Sequence, residues 1–243
     1  MLADDLRCMG YIALKDLKAY YLKPPNISWG ILLPFAFVLA FAIRNPGDWH
    51  ELLPGLLALS LLFGTSSMEA TVIVFERMTG ALERLLLAPV RLPALLFGKL
   101  LGGAMFGLTV TTAVLVVGLA VFGGGDVQWL WLVLTLLVSA LAFAALGSFV
   151  SVAVKQIFEA QTLANFIRFP MMFLSGVFVS VAAMPPALQA LARLLPLTYT
   201  VEALHGSLYG GTIERIALDL VVLAAYAAVL FALAVHTLAR RLA

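Results

Sequence analysis

Two Glu-Arg pairs, Glu76-Arg77 and Glu83-Arg84, lie seven residues apart between two long apolar runs. At helical pitch, a spacing of seven places both pairs on one face. Apolar residues between them recur at i, i+4, i+7 and i+8, which predicts a short amphipathic helix over residues 76–90. Its charged face could dock a soluble partner, and it could equally be an ordinary solvated helix between two membrane spans.

Other residues of catalytic type lack the neighbours that their chemistry would need. Gly98-Lys99 does not complete a phosphate-binding loop, because Pro93 stands where the first glycine would be. Glu202 and His205 could supply two ligands of a metal site, but no further His or Cys is near them in sequence. We therefore predict no catalytic residue, metal or cofactor on this chain. A membrane enzyme stays open only if catalytic groups converge from different spans.

The composition is that of a membrane protein. Apolar residues make up 63% of the chain and charged residues 12%, about half the charged fraction of a soluble domain. The net charge of +2 gives no indication of nucleic-acid binding, and the single cysteine, Cys8, excludes an intrachain disulfide. The first residues lack the apolar region of a cleavable signal peptide. The prediction is one all-α polytopic membrane domain over residues 1–243.

Six transmembrane helices are predicted from apolar runs close to the ~18 residues needed to cross a bilayer. They are 27–43, 52–75, 95–122, 129–154, 166–181 and 216–238. Glu69, in the second span, is interpreted as a charge near the water interface, because it lies within two turns of Arg77. The third span has overlapping G-x-x-x-G spacings, which favour close packing of another helix in this chain or in a second copy. These glycines are Gly98, Gly102, Gly103 and Gly107.

Two further segments are helical in pattern but do not read as spans. Residues 4–23 carry an apolar stripe with basic residues off it, which predicts an interfacial helix in the headgroup region. Residues 184–209 follow Met184-Pro185 and contain two short helical patterns near Pro186 and Pro196, with Tyr199 in the second. Since neither pattern is long enough to span, we predict a re-entrant or interfacial helical hairpin.

The basic residues predict the orientation, because Lys and Arg concentrate on the cytoplasmic side of membrane proteins. With six spans, both termini lie on the same side as the 76–90 helix, and the hairpin lies on the outer face. Twelve of the fifteen Lys and Arg then fall on the side of the termini, which is predicted to be cytoplasmic. They are Arg7, Lys15, Lys18, Lys23, Arg77, Arg84, Arg91, Lys99, Lys155, Arg168, Arg240 and Arg241.

The sequence resembles the permease subunits of type-2 ABC exporters in two segments. The first runs from Glu76 to Val90 as E-R-x-x-G-x-L-E-R-L-L-x-x-P-V, followed by Gly98-Lys99. The second contains F-L-S-G-V-F at 173–178, M-P at 184–185 and L-P-L-T-Y at 195–199. The predicted span count and orientation agree with this family. The short outer loops are unlike those of the animal sterol and lipid exporters, which carry large external domains.

The resemblance implies that the 76–90 helix is a coupling helix that docks on a separate ABC ATPase subunit. The residues implied in that contact are Glu76, Arg77, Gly80, Glu83, Arg84 and Pro89. It further implies that ATP and Mg²⁺ bind the ATPase subunit and not this chain. Two permease copies would pair as a dimer, expected to be a homodimer, in the cytoplasmic (inner) membrane.

The substrate is the least determined part of the prediction. Spans with few charges disfavour a strongly ionic solute that has no lipid tail. Export of a hydrophobic or amphipathic drug or lipid is therefore the first expectation, and export of a lipid-linked polysaccharide is the alternative. From another class, a non-transporting membrane scaffold would share the six spans but would not need a coupling helix.

Overall fold

A computed structural model of the chain describes residues 2–21, 32, 36, 49–87, 90–122 and 126–242. In this part of the chain nearly all residues are helical and none forms a strand, so the all-α prediction is confirmed there. The helices are α1 (Leu2–Asp16), α2 (Trp49–Met78), α3 (Ala81–Leu86), α4 (Leu92–Phe122), α5 (Trp129–Ala153), α6 (Ile157–Leu174), α7 (Pro186–Ala192), α8 (Pro196–Tyr209) and α9 (Ile213–Leu242). A π-helical turn, Leu17–Tyr21, continues α1, and a 3-10 turn, Val181–Ala183, precedes α7.

Four helices among the described residues are long and apolar enough to cross a membrane. They are the segments Leu52–Met78 of α2, Leu92–Ala120 of α4, Trp129–Ala153 of α5 and Ile213–Arg241 of α9. Each coincides with a predicted span to within a few residues. α2 is buried along most of its length, whereas α9 is mostly exposed, so α2 lies at the centre of the bundle.

The other two predicted spans have different outcomes. The first, 27–43, lies outside the described residues except for Leu32 and Ala36. The fifth, 166–181, has incorrect bounds, because α6 begins at Ile157 and ends at Leu174. The capping box of Gln156 and Glu159 fixes its start, and Ser175 caps its end. α6 has 18 residues, is shorter than the four spanning candidates and is not one of them, so six spans are not confirmed.

The long helices pack side by side. α2 contacts α4 and α5, and α5 also packs along α9. α1 lies across the first part of α4, and α8 fills the space between α2, α5 and α9. The bundle thus has two ends, which we name by their short helices: the α3 end, where α1 and α3 lie, and the α8 end, where α7 and α8 lie.

The predicted hairpin corresponds to α7 and α8. Each begins with a proline in its first turn, Pro186 and Pro196, where the missing N–H costs no hydrogen bond. Pro185 precedes α7 as its N-cap residue, and Tyr199 Oη donates a hydrogen bond to the Arg193 carbonyl (2.7 Å). The latter bond ties α8 to the end of α7. Whether this pair enters the membrane as a re-entrant hairpin stays a prediction.

Candidate functional site

The surface helix α3 is shorter than its sequence pattern suggests. α2 continues through Met78, and Gly80 then adopts a left-handed conformation (φ 70°), which ends α2 and redirects the chain into α3. Glu83 and Arg84 are exposed on α3, whereas Leu82 is buried on its opposite face. α3 therefore presents one Glu-Arg pair to its surroundings and anchors itself through Leu82.

The second Glu-Arg pair does not share this exposed face, so the prediction of one charged helix over 76–90 is wrong in this respect. Glu76 and Arg77 belong to the last turn of α2. Glu76 is completely buried, and Arg77 donates a hydrogen bond to the Val154 carbonyl (2.5 Å) just after α5. Both side chains are occupied within this chain. Pro89 lies outside the described residues.

Glu76 belongs to a group of four charged side chains, Lys15, Asp16, Glu76 and Lys99, which we call the charged cluster. Lys99 Nζ lies 3.1 Å from Asp16 Oδ2 and also donates to Glu76 Oε2. Lys15 Nζ lies 2.7 Å from Asp16 Oδ1 and 2.5 Å from Glu76 Oε1. The side chains of Asp16, Glu76 and Lys99 are fully buried, while that of Lys15 is 40% exposed. The cluster joins α1, α2 and α4 at one point.

The cluster is electrically balanced, which explains how it can be buried. Two ammonium groups face two carboxylates, and each carboxylate contacts both lysines. Burial alone would lower the pKa of Lys15, but hydrogen bonds to Asp16 and Glu76 outweigh it and raise this pKa above its ordinary value. Lys15 therefore stays charged, and the joint between α1 and the spans is ionic at neutral pH.

A second group of polar side chains surrounds Glu69, which lies about two turns before Glu76 in α2. Glu69 is fully buried and accepts hydrogen bonds from Tyr21 Oη (2.7 Å) and Ser148 Oγ (2.9 Å). Burial raises the pKa of Tyr21 well above its ordinary value, with the Glu69 charge adding to the effect, so the phenol remains a donor. The interpretation of Glu69 as an interfacial charge is therefore wrong.

The four glycines of the predicted packing face of α4 are all used in packing within this chain. A Cβ on Gly98 would lie 3.0 Å from Met9 Cα, and one on Gly102 would lie 3.4 Å from the Ala13 carbonyl oxygen. Likewise, Gly103 faces Glu69, and Gly107 faces the Thr65 backbone. These glycines let α1 and α2 approach α4 closely. The helices that fill this face are α1 and α2 of this chain, and dimerisation of the permease stays a prediction.

Arg168 also differs from its expected place at a span boundary. It lies eleven residues into α6 and is only 1% exposed. Its guanidinium donates to Ser67 Oγ and to the Ala164 carbonyl (3.1 Å), and it sits 5.2 Å from the ring centre of Phe63. Among the described residues no carboxylate pairs with it. α2 and α6 are therefore joined near their middle by an arginine that is satisfied by neutral groups.

Sequence reasoning missed the charged cluster as a unit. From the sequence, Lys99 is treated as part of Gly98-Lys99 and as one of the cytoplasmic basic residues, although a lysine inside an apolar run predicts a buried partner. Asp16 stands beside Lys15 on the amphipathic segment, where it reads as a solvated residue. Glu76 lies 61 residues from Lys15 in sequence, and Lys99 lies 83 residues from Asp16. Only the packing of α1 on α4 brings them together.

For metals, the described residues contain no group of three or more His, Cys, Asp or Glu side chains close enough to hold an ion. Glu202 instead pairs with Arg215 (3.1 Å), and the His205 ring packs edge-on against Tyr209.

Comparison with known proteins yields one family and several relatives. Residues 11–209 match the ABC-2 type transporter family. The chain is 27% identical over 170 residues to the inner membrane transport permease YadH of Escherichia coli K12, covering 68% of this chain and 66% of that protein. It is 29% identical over 182 residues to Nodulation protein J of Rhizobium meliloti, covering 73% and 68%. Nodulation protein J of Rhizobium leguminosarum bv. viciae is 33% identical over 121 residues, 49% of this chain and 47% of that protein. The match thus spans just under two thirds of the length of the E. coli permease.

Proposed function

This chain belongs to the ABC-2 type transporter family, and we propose that it is not an enzyme but the permease subunit of an ATP-driven exporter in the cytoplasmic membrane. ATP and Mg²⁺ would bind a separate ATPase subunit, and two permease copies would form the pathway. Both chain ends and α3 would face the cytoplasm, with α7 and α8 on the outer face. The E. coli relative is named an inner membrane transport permease.

The observation that carries this proposal is the position of α3 at the end of α2. A docking element needs exposed groups for recognition and a firm connection to the moving parts. Glu83 and Arg84 are exposed, and the left-handed Gly80 sets the angle between α3 and α2. We infer that the ATPase subunit recognises this Glu-Arg pair, in place of the two pairs predicted from sequence.

Leu82 supplies the connection. It is 2% exposed and belongs to one apolar cluster with buried residues of α1, α2, α4, α5 and α9. These residues are Ile12, Ile73, Leu95, Leu96, Val152, Ala234 and Leu238. Close-packed interiors transmit displacement because they have little free volume. A push on α3 would therefore move the α3 ends of several spans together.

We propose that the substrate is hydrophobic or amphipathic, such as a drug or a lipid, and keep a lipid-linked polysaccharide as the alternative. Two groups of buried charges are matched within the chain: the charged cluster is balanced, and Glu69 is held by two hydroxyl donors. An ionic solute without an apolar part would find few free charges to replace its hydration.

The charge swap Glu83→Arg with Arg84→Glu tests the docking role without knowledge of the substrate. We expect the swapped chain to insert and fold normally, because both side chains are exposed, but to lose its ATPase subunit during purification in mild detergent. The measurement is the stoichiometry of a co-purifying P-loop subunit and the stimulation of its ATPase activity by the permease.

The matched control is a swap at the α8 end, Arg193→Glu with Glu214→Arg, which also conserves net charge and also changes two exposed residues. It should retain the ATPase subunit at the parental stoichiometry. Equal retention by both swaps would contradict the docking role of α3. If the parental chain carries no P-loop subunit under several gentle conditions, the exporter assignment itself is wrong.

A further inference from the structure

A cavity of about 460 Å³ opens at the α8 end of the bundle. Its wall is formed by the start of α2, the segment between α6 and α7, and α8 with the start of α9. The volume lies within the ~300–1,000 Å³ that is usual for small-molecule sites. It lies at the opposite end of the bundle from the charged cluster and from α3, so it is separate from the docking site described above.

One hydroxyl of the cavity wall is buried without a hydrogen bond. Ser175 lines the cavity and is fully buried, and its Oγ has no partner among the described residues. Buried polar groups are nearly always paired, so an orphan at a cavity wall indicates a missing partner. Because no bond holds this hydroxyl, rotation about its Cα–Cβ bond can direct it to a bound molecule at little cost.

The charged groups of the wall neutralise each other. Arg215 Nη2 lies 3.1 Å from Glu202 Oε2, and both residues line the cavity together with His205. An anion here would also meet the carboxylate, and a cation would also meet the guanidinium. A neutral group with several hydroxyls can use both, donating to Glu202 and accepting from Arg215.

The remaining wall is apolar. Leu52, Val177, Val181 and Val201 line the cavity beside the polar groups, and Val177, Val181 and Val201 are buried. An apolar surface next to fixed donors and acceptors fits a molecule that has C–H faces as well as hydroxyls. A sugar ring has both, and an attached acyl chain would continue into the surrounding bilayer.

We propose that this cavity binds the neutral polyhydroxylated headgroup, such as a sugar, of an amphipathic molecule. As a statement about the exported substrate it rests on the proposed function, whereas the binding itself does not require the ATPase subunit. Ser175 supplies a hydroxyl, Glu202 and Arg215 supply an acceptor and donors, and the valines contact the ring.

The test is binding of n-octyl β-D-glucoside, below its micelle concentration, to the full chain in nanodiscs prepared without glycoside detergents. Saturation-transfer NMR on the sugar protons reports the contact. n-Octyl phosphocholine and n-octanol carry the same chain with a zwitterionic or a minimal headgroup, and methyl β-D-glucoside carries the sugar alone. We expect saturable binding of the octyl glucoside, weaker binding of the methyl glucoside, and no saturable binding of the other two probes.

Two variants locate the site. Ser175→Ala removes one neutral hydrogen bond and should weaken glucoside binding about three- to tenfold. Glu202→Gln removes the charged acceptor and should weaken it by at least as much. The control is Ser60→Ala, which removes another buried, unpartnered hydroxyl that does not line the cavity, and it should leave binding unchanged.

Binding of the phosphocholine probe as tight as that of the glucoside would overturn the proposal, as would glucoside binding that is unaffected by Ser175→Ala and Glu202→Gln. Absence of saturable glucoside binding to the parental chain would overturn it too. None of these results involves α3 or the ATPase subunit. The exporter assignment, tested by co-purification, therefore stands or falls separately.

Discussion

Replacing Lys99 by methionine removes the central cation of the charged cluster while nearly preserving side-chain length. The four charges sum to zero in the parental protein, so the variant leaves two buried carboxylates with Lys15 as their remaining cation. The cluster would then carry a net charge of −1, in a place where Asp16 and Glu76 are fully buried. We expect a strong loss of stability.

The magnitude follows from the geometry. At 3.1 Å, the separation of Lys99 Nζ from Asp16 Oδ2, a pair of unit charges attracts by about 5 kcal/mol at an effective dielectric constant of 20. Desolvation of the lysine in the parental protein offsets part of this gain. Removal of one partner from a buried ion pair typically costs ~3–5 kcal/mol. For a chain of this size that corresponds to a fall in unfolding midpoint of about 6–20 °C.

The assay is thermal unfolding in detergent, followed by the fraction of chain that still elutes as a monodisperse peak after heating. Lys18→Met is the matched control, since Lys18 is exposed on the neighbouring turn, and it should shift the midpoint by no more than about 2 °C. Adding Glu76→Gln to Lys99→Met restores a balanced Lys15–Asp16 pair, so the double variant should be more stable than Lys99→Met alone. A single variant as stable as the parent, or a double variant less stable than the single, would refute the reasoning.

Three further predictions concern one closely packed glycine and two buried polar side chains. Gly147→Ala should destabilise the protein by about 1–3 kcal/mol, since the added Cβ would lie 2.8 Å from the Ser66 carbonyl oxygen. The control is Gly10→Ala, whose Cβ would meet nothing within 4 Å and which should be neutral or stabilising. Both effects are measured as changes in the unfolding midpoint. Tyr21→Phe should cost about 1–3 kcal/mol, because it removes a donor from buried Glu69, and unchanged stability would contradict that bond. Arg168→Met should lower the unfolding midpoint less than Lys99→Met does, because the loss of the Arg168 guanidinium leaves no carboxylate unpaired among the described residues.

Much of the fold follows from composition and period. In a lipid bilayer, a long apolar run can satisfy its backbone hydrogen bonds within one segment by forming a helix. The bounds of α2, α4, α5 and α9 were therefore predictable to within a few residues. Pro186 and Pro196 likewise predicted the starts of α7 and α8, because proline is favoured in the first turn of a helix. The bounds of the fifth span were predicted incorrectly because Glu159 and Arg168 are of residue types that are common in loops. In the structure they cap and anchor a helix.

The proposed docking site was only partly predictable from the sequence, because its helix boundaries depend on the backbone conformation of one glycine. A spacing of seven indicates a shared face only if one helix is continuous, and the left-handed Gly80 interrupts it between the two pairs. The glycine spacing in α4 indicated close packing correctly but could not identify which helix occupies that face.

The position of the charged cluster suggests why the proposed exporter would keep charges in such a place. An apolar joint between α1, α2 and α4 could slide, since dispersion contacts have little directionality. Two lysines bonded to two carboxylates allow few arrangements, because every displacement leaves a buried charge unpaired. Glu76 lies four residues before Gly80, at the point where α3 would receive force from its partner. A joint of this kind holds α1 and the start of α4 in register with the end of α2, so these three helices would move as one body when α3 is displaced.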